Sequence, residues 1–261
     1  MAAQSTQARY ILLYHAGIPG RGELVRLALE AAGVPYIDQA NQSKSGAREV
    51  YSQIDRNSTG DEDGNPPHFA PPMLKIPGAG KNGKTLVISQ TANILLYLGS
   101  ELGLAGDDDV DKYHVNQLAL TALDAMAENH STHHPVSTVQ YYEDQKEEAL
   151  KTAKDFRETR IPKYFGYFER VLKGNEERGH GKYLVGSKLT YADTTFWHVI
   201  DGLQFAFPQE LKAREKDYPL IFTKFFPGIK EEKGIKEYLA SGRKIPYSNG
   251  VFRYYPELDR Q

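Results

Sequence analysis

Residues 69–98, FAPPMLKIPGAGKNGKTLVISQTANILLYL, decide the fold of this chain. Residues 78–85 (GAGKNGKT) fit G-x-x-x-x-G-K-[ST], the pattern of a loop that cradles phosphate groups. Such a loop leads from a strand into a helix, whose first N–H groups face the phosphates. Here the apolar residues 86–88 follow and predict a strand instead. We therefore expect an antiparallel hairpin with a Gly/Lys turn, and no nucleotide site.

A strand, a helix and a second strand precede this hairpin. Residues 10–14 (YILLY) are aromatic and branched, which predicts a buried strand. A Gly/Pro loop follows, and the apolar spacing of RGELVRLALEAAG, which begins at Arg21, predicts a helix that ends at Gly33. Residues 35–37 predict a second strand, and a βαβ unit favours a parallel strand pair.

The remaining patterns complete the first domain and give the second. A weak helix over 43–54, hairpin strands over 73–76 and 86–88, and a helix over 90–104 give the order βαβαββα. Beyond residue 106 the spacing is helical, with one long helix expected over 142–172 and a kink at Pro162. Thr190 and Asp193 have the spacing of a capping box, which starts a further helix.

The expected fold class is therefore α/β plus all-α. We expect a flexible tail over residues 1–9 and an α/β domain over residues 10–104. An all-helical domain is expected over residues 105–261, and its aromatic end, from residue 245, is expected to pack back on the body.

Composition narrows the classes of function. A chain of 261 residues with 40% hydrophobic and 25% charged residues is typical of a globular protein. The formal charge of −2 gives no electrostatic reason to expect nucleic acid or an anionic membrane as a partner. The absence of cysteine excludes thiolate metal sites and a cysteine nucleophile. No secretory signal or membrane span is predicted, which fits a cytoplasmic protein.

Several polar features are predicted to meet at one crevice. The prolines Pro71-Pro72 precede a short strand, and a cis bond there would present backbone N–H and C=O groups to a peptide. Gln90 and Thr91 stand at a helix start, which suits a carboxylate. Tyr14 ends the first strand, and Arg21 begins the next helix. The set predicts a site for a small anionic peptide whose reactive group lies near the Tyr14 hydroxyl.

The chain resembles a cytosolic glutathione transferase across nearly its whole length. The resemblance rests on the order and spacing of YILLYHAGIPGRGELVRLALEAAG, PPML, QTANILLYL and LVGSKLTYAD. The segments HSTHHP and YYEDQK resemble a microbial, including fungal, subgroup. The resemblance implies a thioredoxin-like first domain, a helical second domain, a homodimer and glutathione as co-substrate.

The resemblance also implies a role for each site residue. Thr91 would bind the γ-glutamyl carboxylate of glutathione, with Gln90 beside it and Arg21 nearby. Pro71 would pair with the cysteinyl backbone, and Pro72 would be the cis proline. Tyr14 would take the place of the catalytic tyrosine, whose hydroxyl donates a hydrogen bond to the glutathione sulfur. A hydrogen bond to the thiolate lowers the pKa of the thiol, and the thiolate is the nucleophile.

Alternatives stay open at three of these positions. The usual tyrosine-to-arginine spacing, counted back from Arg21, reaches His15, so His15 or a backbone donor is the fallback activator. Arg21 is alternatively a surface residue paired with Glu23 or another acid, and Tyr14 a buried strand aromatic. Glu128, His130, His133 and His134 resemble a set of metal ligands, but no H-E-x-x-H pattern is present. We expect a polar helix end there, and no metal.

The function expected from the resemblance is glutathione transfer. The enzyme would activate glutathione as the thiolate and add it to a hydrophobic electrophilic small molecule, as in detoxification. The alternatives are a glutathione-dependent isomerase, a pathway-specific biosynthetic transferase, and a non-catalytic binding or regulatory protein with the same fold.

Overall fold

The computed structural model describes residues 8–261; residues 1–7 of the predicted tail lie outside this range. Four strands and eleven α-helices lie in the described part of the chain. In chain order they are β1 (Tyr10–Leu13), α1 (Gly22–Ala31), β2 (Tyr36–Asp38), α2 (Gln39–Gln42), α3 (Lys44–Ser52), β3 (Met73–Ile76), β4 (Leu86–Ser89), α4 (Thr91–Leu102), α5 (Asp111–Ser131), α6 (Lys146–Asp155), α7 (Ile161–Glu177), α8 (Tyr191–Ala206), α9 (Pro208–Arg214), α10 (Phe226–Lys230) and α11 (Lys233–Ala240).

The first domain is built on one mixed sheet with strand order β2-β1-β3-β4. β1 pairs with β2 in parallel and with β3 in antiparallel fashion, and β3 and β4 form the predicted hairpin. The weak helix predicted over 43–54 is α3, whose first residue follows the extended Ser43; the Ser43 hydroxyl accepts the N–H of Gly46. A short helix that the sequence did not predict, α2, precedes it. The predicted fold class, an α/β domain of order βαβαββα followed by an all-helical domain, is confirmed.

Side-chain alternation along the strands gives the sheet two buried faces. Leu12 and Leu74 point into the main core, together with α1 and α4. Leu13 and Met73 point to the other face, into a smaller cluster that includes Ala40 of α2 and Val50 of α3. Burial on both faces explains why these strands are short continuous apolar runs.

The phosphate-loop pattern lies on the hairpin turn, as the sequence predicts. A short 3₁₀ turn, Lys81–Gly83, follows β3, and Asn82 adopts a left-handed conformation with φ of 58°. The chain then enters β4 and not a helix. No helix N-terminus is therefore offered to phosphates at this turn.

The second domain is a helical bundle around α5 and α8. Phe165 and Phe168 of α7 pack on Phe196 of α8, with ring centroids 5.9 and 3.8 Å apart. The helix predicted over 142–172 begins later and runs through α6, a π-helical turn over Phe156–Arg160 and α7. The π turn lies just before Pro162, where the missing N–H and the ring disturb regular α-helical bonding. Thr190 and Asp193 form the predicted capping box of α8.

A buried ionic seam joins the two domains. Arg26 of α1 is 1% exposed and bonds Glu23 Oε2 at 3.1 Å and Asp38 Oδ2 at 2.8 Å. The hydroxyl of Tyr238, on α11, donates to Glu23 Oε1 at 2.8 Å. Because this seam runs through α1, it fixes the loop before α1 against the helical domain.

No helix in the described part of the chain is both long and apolar enough to cross a membrane.

Candidate active site

The register of the sheet brings three of the predicted site segments into one row. Leu13 pairs with Met73, and Met73 pairs with Ser89. One residue further along the antiparallel register, Tyr14 lies level with Pro72, and Pro72 lies level with Gln90. Neighbouring strands are about 4.8 Å apart, so this row spans roughly 10 Å at one edge of the sheet.

Tyr14 has a buried ring and a hydroxyl held at the start of α1. The side chain is 5% exposed, and its hydroxyl oxygen accepts the backbone N–H of Arg21 at 3.0 Å. A Cβ atom at Gly20 would lie 2.3 Å from this oxygen, so the loop can approach Tyr14 only with glycine there. Burial raises the pKa of Tyr14, so the phenol stays neutral and keeps a proton to donate.

His15 lies beside this position, with its ring edge-on to that of Tyr14 and the two centroids 5.0 Å apart. Its Nδ1 atom lies 3.5 Å from the Tyr51 hydroxyl on α3, and the two rings are 6.0 Å apart. The Tyr14 hydroxyl faces the start of α1, whereas the His15 Nδ1 atom faces Tyr51 on α3. The additional loop residue is accommodated by left-handed Gly17 and Gly20, with φ of 69° and 40°.

Arg21 does not form the ion pair with Glu23 that the sequence allowed. Glu23 is occupied by Arg26 and Tyr238, and within residues 8–261 no acidic group lies within 4.0 Å of the Arg21 guanidinium. Arg21 is half-buried. Burial is the main cause that lowers the pKa of His130, and the charge of Arg21 adds to it, so Arg21 lies near the end of α5.

The turn before β3 and the start of α4 present backbone groups at the other side of the row. The Pro71–Pro72 peptide bond is cis. Gln90 has the left-handed φ of 70°, and its side chain is exposed and makes no capping hydrogen bond to α4. The first turn of α4 therefore has N–H groups without a side-chain cap, at the positive end of the helix dipole.

Thr91 has a buried hydroxyl without a hydrogen-bond partner in the described structure, which points to a ligand. The residue is 3% exposed, and its Oγ1 atom is buried without a hydrogen-bond partner among residues 8–261. A buried hydroxyl without a partner costs about 1–3 kcal/mol, and native structures rarely leave one so. A hydroxyl donor beside free helix N–H groups suits a carboxylate ligand.

The helical domain forms the opposite wall through two segments that sequence reasoning did not connect. Asn129, near the end of α5, donates from Nδ2 to the carbonyl oxygen of Val251 at 2.8 Å. Gly250, in the same C-terminal segment, lies against Ile18 and Gly20 of the loop after β1. The C-terminal segment thus lies between the end of α5 and the Tyr14 loop. The predicted packing of the aromatic tail is visible in Tyr255, whose ring stacks on Tyr142 at 3.8 Å.

Three histidines cluster at the end of α5, and Glu128 stands apart from them. One ring nitrogen from each of His130, His133 and His134 lies within 4.8 Å of the others. Burial lowers the pKa of His130 to about 4 and that of His133 to about 2. Glu128 instead forms two hydrogen bonds with Arg160, at 2.6 and 2.7 Å, and accepts one from Tyr164 at 2.7 Å.

The sequence offered no signal for two parts of this wall. Asn129 and Val251 are 122 residues apart, and neither belongs to a motif. Arg253 lies near the histidine cluster, where its charge contributes to the lowered pKa of all three histidines. Its guanidinium is held by the carbonyl oxygens of Gly250 and Asn249, both at 3.1 Å.

Comparison with known proteins identifies similar chains. Residues 130–242 match the family described as glutathione S-transferase, C-terminal domain. A glutathione S-transferase of Plasmodium falciparum is 23% identical over 241 residues, covering 91% of this chain and 98% of that protein. A glutathione S-transferase of Gallus gallus is 29% identical over 250 residues, covering 92% and 97%.

Solved structures show the same fold. The glutathione S-transferase of Ascaris lumbricoides superposes with a TM-score of 0.64 at 23% identity, over 92% of this chain and all of that one. The prostaglandin synthase D of Nilaparvata lugens gives a TM-score of 0.64 at 20% identity, over 91% and 99%. The chain is thus similar to glutathione S-transferases over about nine tenths of its length.

Proposed function

We propose that this chain is a tyrosine-type glutathione S-transferase, which activates glutathione as the thiolate and adds it to a hydrophobic electrophile. The curated relatives named above are glutathione S-transferases, and they support conjugation over the isomerase, biosynthetic and non-catalytic alternatives. The single observation that carries the proposal for this chain's own residues is the row of Tyr14, Pro72 and Gln90 at one edge of the sheet.

The length of the row fits the ligand. Glutathione is a tripeptide, and three extended residues span about 10 Å, the width of the three strand ends. The cis turn at Pro71-Pro72 stands in the middle of the row. We assign Pro71 to backbone pairing with the cysteinyl unit, which would lie level with β3 as an added strand does.

The γ-glutamyl end would bind at the start of α4. The buried Thr91 hydroxyl lacks a partner among residues 8–261, and the α4 N–H groups beside it lack a side-chain cap. A carboxylate there would accept hydrogen bonds from both and lie at the positive end of the helix. Gln90, exposed at the same turn, would contact the ligand's amino-acid end.

The thiol would lie at the other end of the row, beside Tyr14. The Tyr14 oxygen accepts the Arg21 N–H, so its own proton is available for the sulfur. A hydrogen bond to a charged group contributes about 1.5–3 kcal/mol, which corresponds to about one to two units of thiol pKa. Arg21, without an acidic partner in the described structure, would add a favourable charge. His15, turned toward Tyr51, is the weaker candidate.

The electrophile would bind between the Tyr14 loop and the helical wall. The C-terminal segment, held to α5 by Asn129, closes one side of this crevice. Sites at domain interfaces of this kind are common for small molecules. The segment is aromatic, which suits a hydrophobic partner.

The finer expectations from the sequence stay proposals. We propose that the domain boundary lies between residues 104 and 105 and that the chain is cytoplasmic. We also propose that it belongs to the microbial, including fungal, subgroup that HSTHHP and YYEDQK resemble. The relatives compared above come from animals and a parasite.

We also propose a homodimer, because large apolar side chains are exposed near the hairpin and on α4 and α5. These are Phe69 at 94%, Leu96 at 39%, Tyr113 at 68% and Leu120 at 43%.

Calorimetry with glutathione and turnover of a chloronitrobenzene test the proposal directly. We expect binding at or below millimolar concentration and conjugation that depends on Tyr14. Turnover of a cis-enone without conjugation would instead establish the isomerase, and absence of glutathione binding would overturn every catalytic assignment. Light scattering of the wild type and of Phe69→Ser tests the dimer separately.

A further inference from the structure

We propose that His130, His133 and His134 bind one divalent transition-metal ion of the zinc type, with a fourth position left for water or a small anion. This inference goes beyond the proposed transferase activity and does not depend on it. It also replaces the expectation from the sequence, which was that this segment is only a polar helix end.

The first argument is the geometry of the cluster. The ring centroids of the three histidines are 5.0, 4.9 and 4.9 Å apart, and one nitrogen of each lies within 4.8 Å of the others. Ligand nitrogens about 2.0–2.1 Å from a tetrahedral zinc ion are about 3.3 Å from one another. Side-chain rotations that move each ligand nitrogen by about 1 Å would therefore bring the three to zinc-binding distance. His130 and His134 also have the four-residue separation of helical zinc ligands.

The second argument is an unpartnered nitrogen on one member of the cluster. His133 is 1% exposed, and its Nε2 atom has no hydrogen-bond partner among residues 8–261. Packing alone does not explain why a buried imidazole beside two others keeps a nitrogen without a partner, because such an atom is costly. A metal ion would give that nitrogen a partner.

The third argument is the support behind His134. Its Nδ1 atom lies 3.1 Å from the carbonyl oxygen of Gln140, so Nδ1 carries the proton and donates it. The Nε2 lone pair is then free to coordinate. Metal-binding histidines nearly always donate their second ring nitrogen to a carbonyl or carboxylate in this way, and that contact fixes the ring.

The surroundings decide which ion fits. Cysteine is absent from the chain, and Glu128 is held by Arg160, so the donors are three neutral imidazoles. Imidazole favours zinc, copper and nickel over calcium and magnesium. The cluster begins in the last turn of α5, with His130, where the negative end of the helix dipole favours a cation. Arg253 stands nearby, and a small anion at the fourth position would offset its charge.

The test uses the full-length protein without an affinity tag, dialysed against a chelator and then titrated with Zn²⁺ by calorimetry. Co²⁺ is the spectroscopic probe, because a tetrahedral site gives intense visible absorption. We expect one ion per chain and tetrahedral Co²⁺ bands. His130→Asn and His134→Asn are each expected to weaken Zn²⁺ binding at least tenfold and to abolish the bands. His133→Asn is expected to do the same if circular dichroism shows that it folds.

The matched controls are His114→Asn and His180→Asn, which change exposed histidines outside the cluster. We expect both to bind Zn²⁺ like the wild type. The proposal is overturned if the wild type binds no ion, or if the His130 and His134 variants keep the ion and its spectrum. Loss of the ion in His114→Asn or His180→Asn would also overturn it, since it would assign the ion to a surface site.

Discussion

The two walls of the crevice are built in different ways. The sheet edge presents backbone groups and single side chains fixed by local rules, namely the end of β1, a cis proline turn and the start of α4. The helical wall consists of the end of α5 and the C-terminal segment, held together by the Asn129–Val251 bond across 122 residues. A wall made of local structure suits a substrate common to a whole fold family. A wall assembled from distant side chains suits the substrate particular to one protein.

The same difference explains what the sequence could predict. Tyr14, the Pro71-Pro72 turn and Thr91 each stand at a strand or helix end whose signal lies within a few residues, so the row could be anticipated. The left-handed backbone conformation of Gln90 could not be predicted, because such conformations are usually signalled by glycine and this position is a glutamine. On the helical wall, Glu128 forms an ion pair with Arg160, 32 residues away, and therefore does not join the histidine cluster. Such long-range choices leave no periodic pattern in the chain.

The largest loss of stability is expected from breaking the buried ionic seam that joins the two domains. Arg26→Ala removes the cation that faces the buried Glu23 and the partly buried Asp38. Breaking a buried ion pair costs about 3–5 kcal/mol, so we expect the melting temperature to fall by about 10 °C or more. Arg9→Ala, which breaks an exposed pair with Glu101, is the control and should cost about 0–1 kcal/mol. Equal losses in chemical denaturation would contradict the account of the seam.

Thr91→Val tests the sheet edge. The substitution keeps the shape of the side chain and removes the buried hydroxyl. A hydrogen bond to a charged carboxylate is worth about 1.5–3 kcal/mol, so the Kd for glutathione should rise about 10- to 150-fold. Calorimetry measures this, with exposed Thr223→Val as the control. An unchanged Kd in Thr91→Val would remove the hydroxyl from the carboxylate site.

Acid should lower the stability of the helical domain through His198. His198 of α8 is fully buried, and burial lowers its pKa to about 3. The neutral form is favoured in the folded state, so its contribution to stability is complete above the unfolded pKa of about 6.5. That contribution is lost as the pH falls toward 3, at about 1.4 kcal/mol per pH unit. Denaturation at several pH values gives the slope of the unfolding free energy against pH. In His198→Gln this slope should be smaller by the equivalent of one proton, and an equal slope would refute the assignment.

The smallest effect is expected from the bond that holds the C-terminal segment. Asn129→Ala removes the donor to Val251, at a cost of about 0.5–1.5 kcal/mol. We expect faster hydrogen exchange in residues 245–255 and a few-fold higher KM for the electrophile, with the KM for glutathione unchanged. A change in the glutathione KM instead would show that the two walls do not divide the substrates as proposed.

The most direct test of the central claim is the pKa of the thiol in bound glutathione, followed by the ultraviolet absorbance of the thiolate. The wild type, Tyr14→Phe and His15→Ala would be titrated at saturating glutathione. Loss of the Tyr14 hydroxyl should raise the thiol pKa by about 1–2 units, whereas His15→Ala should leave it unchanged. The opposite pattern, with the shift in His15→Ala and none in Tyr14→Phe, would contradict the assignment of Tyr14 as the activating group.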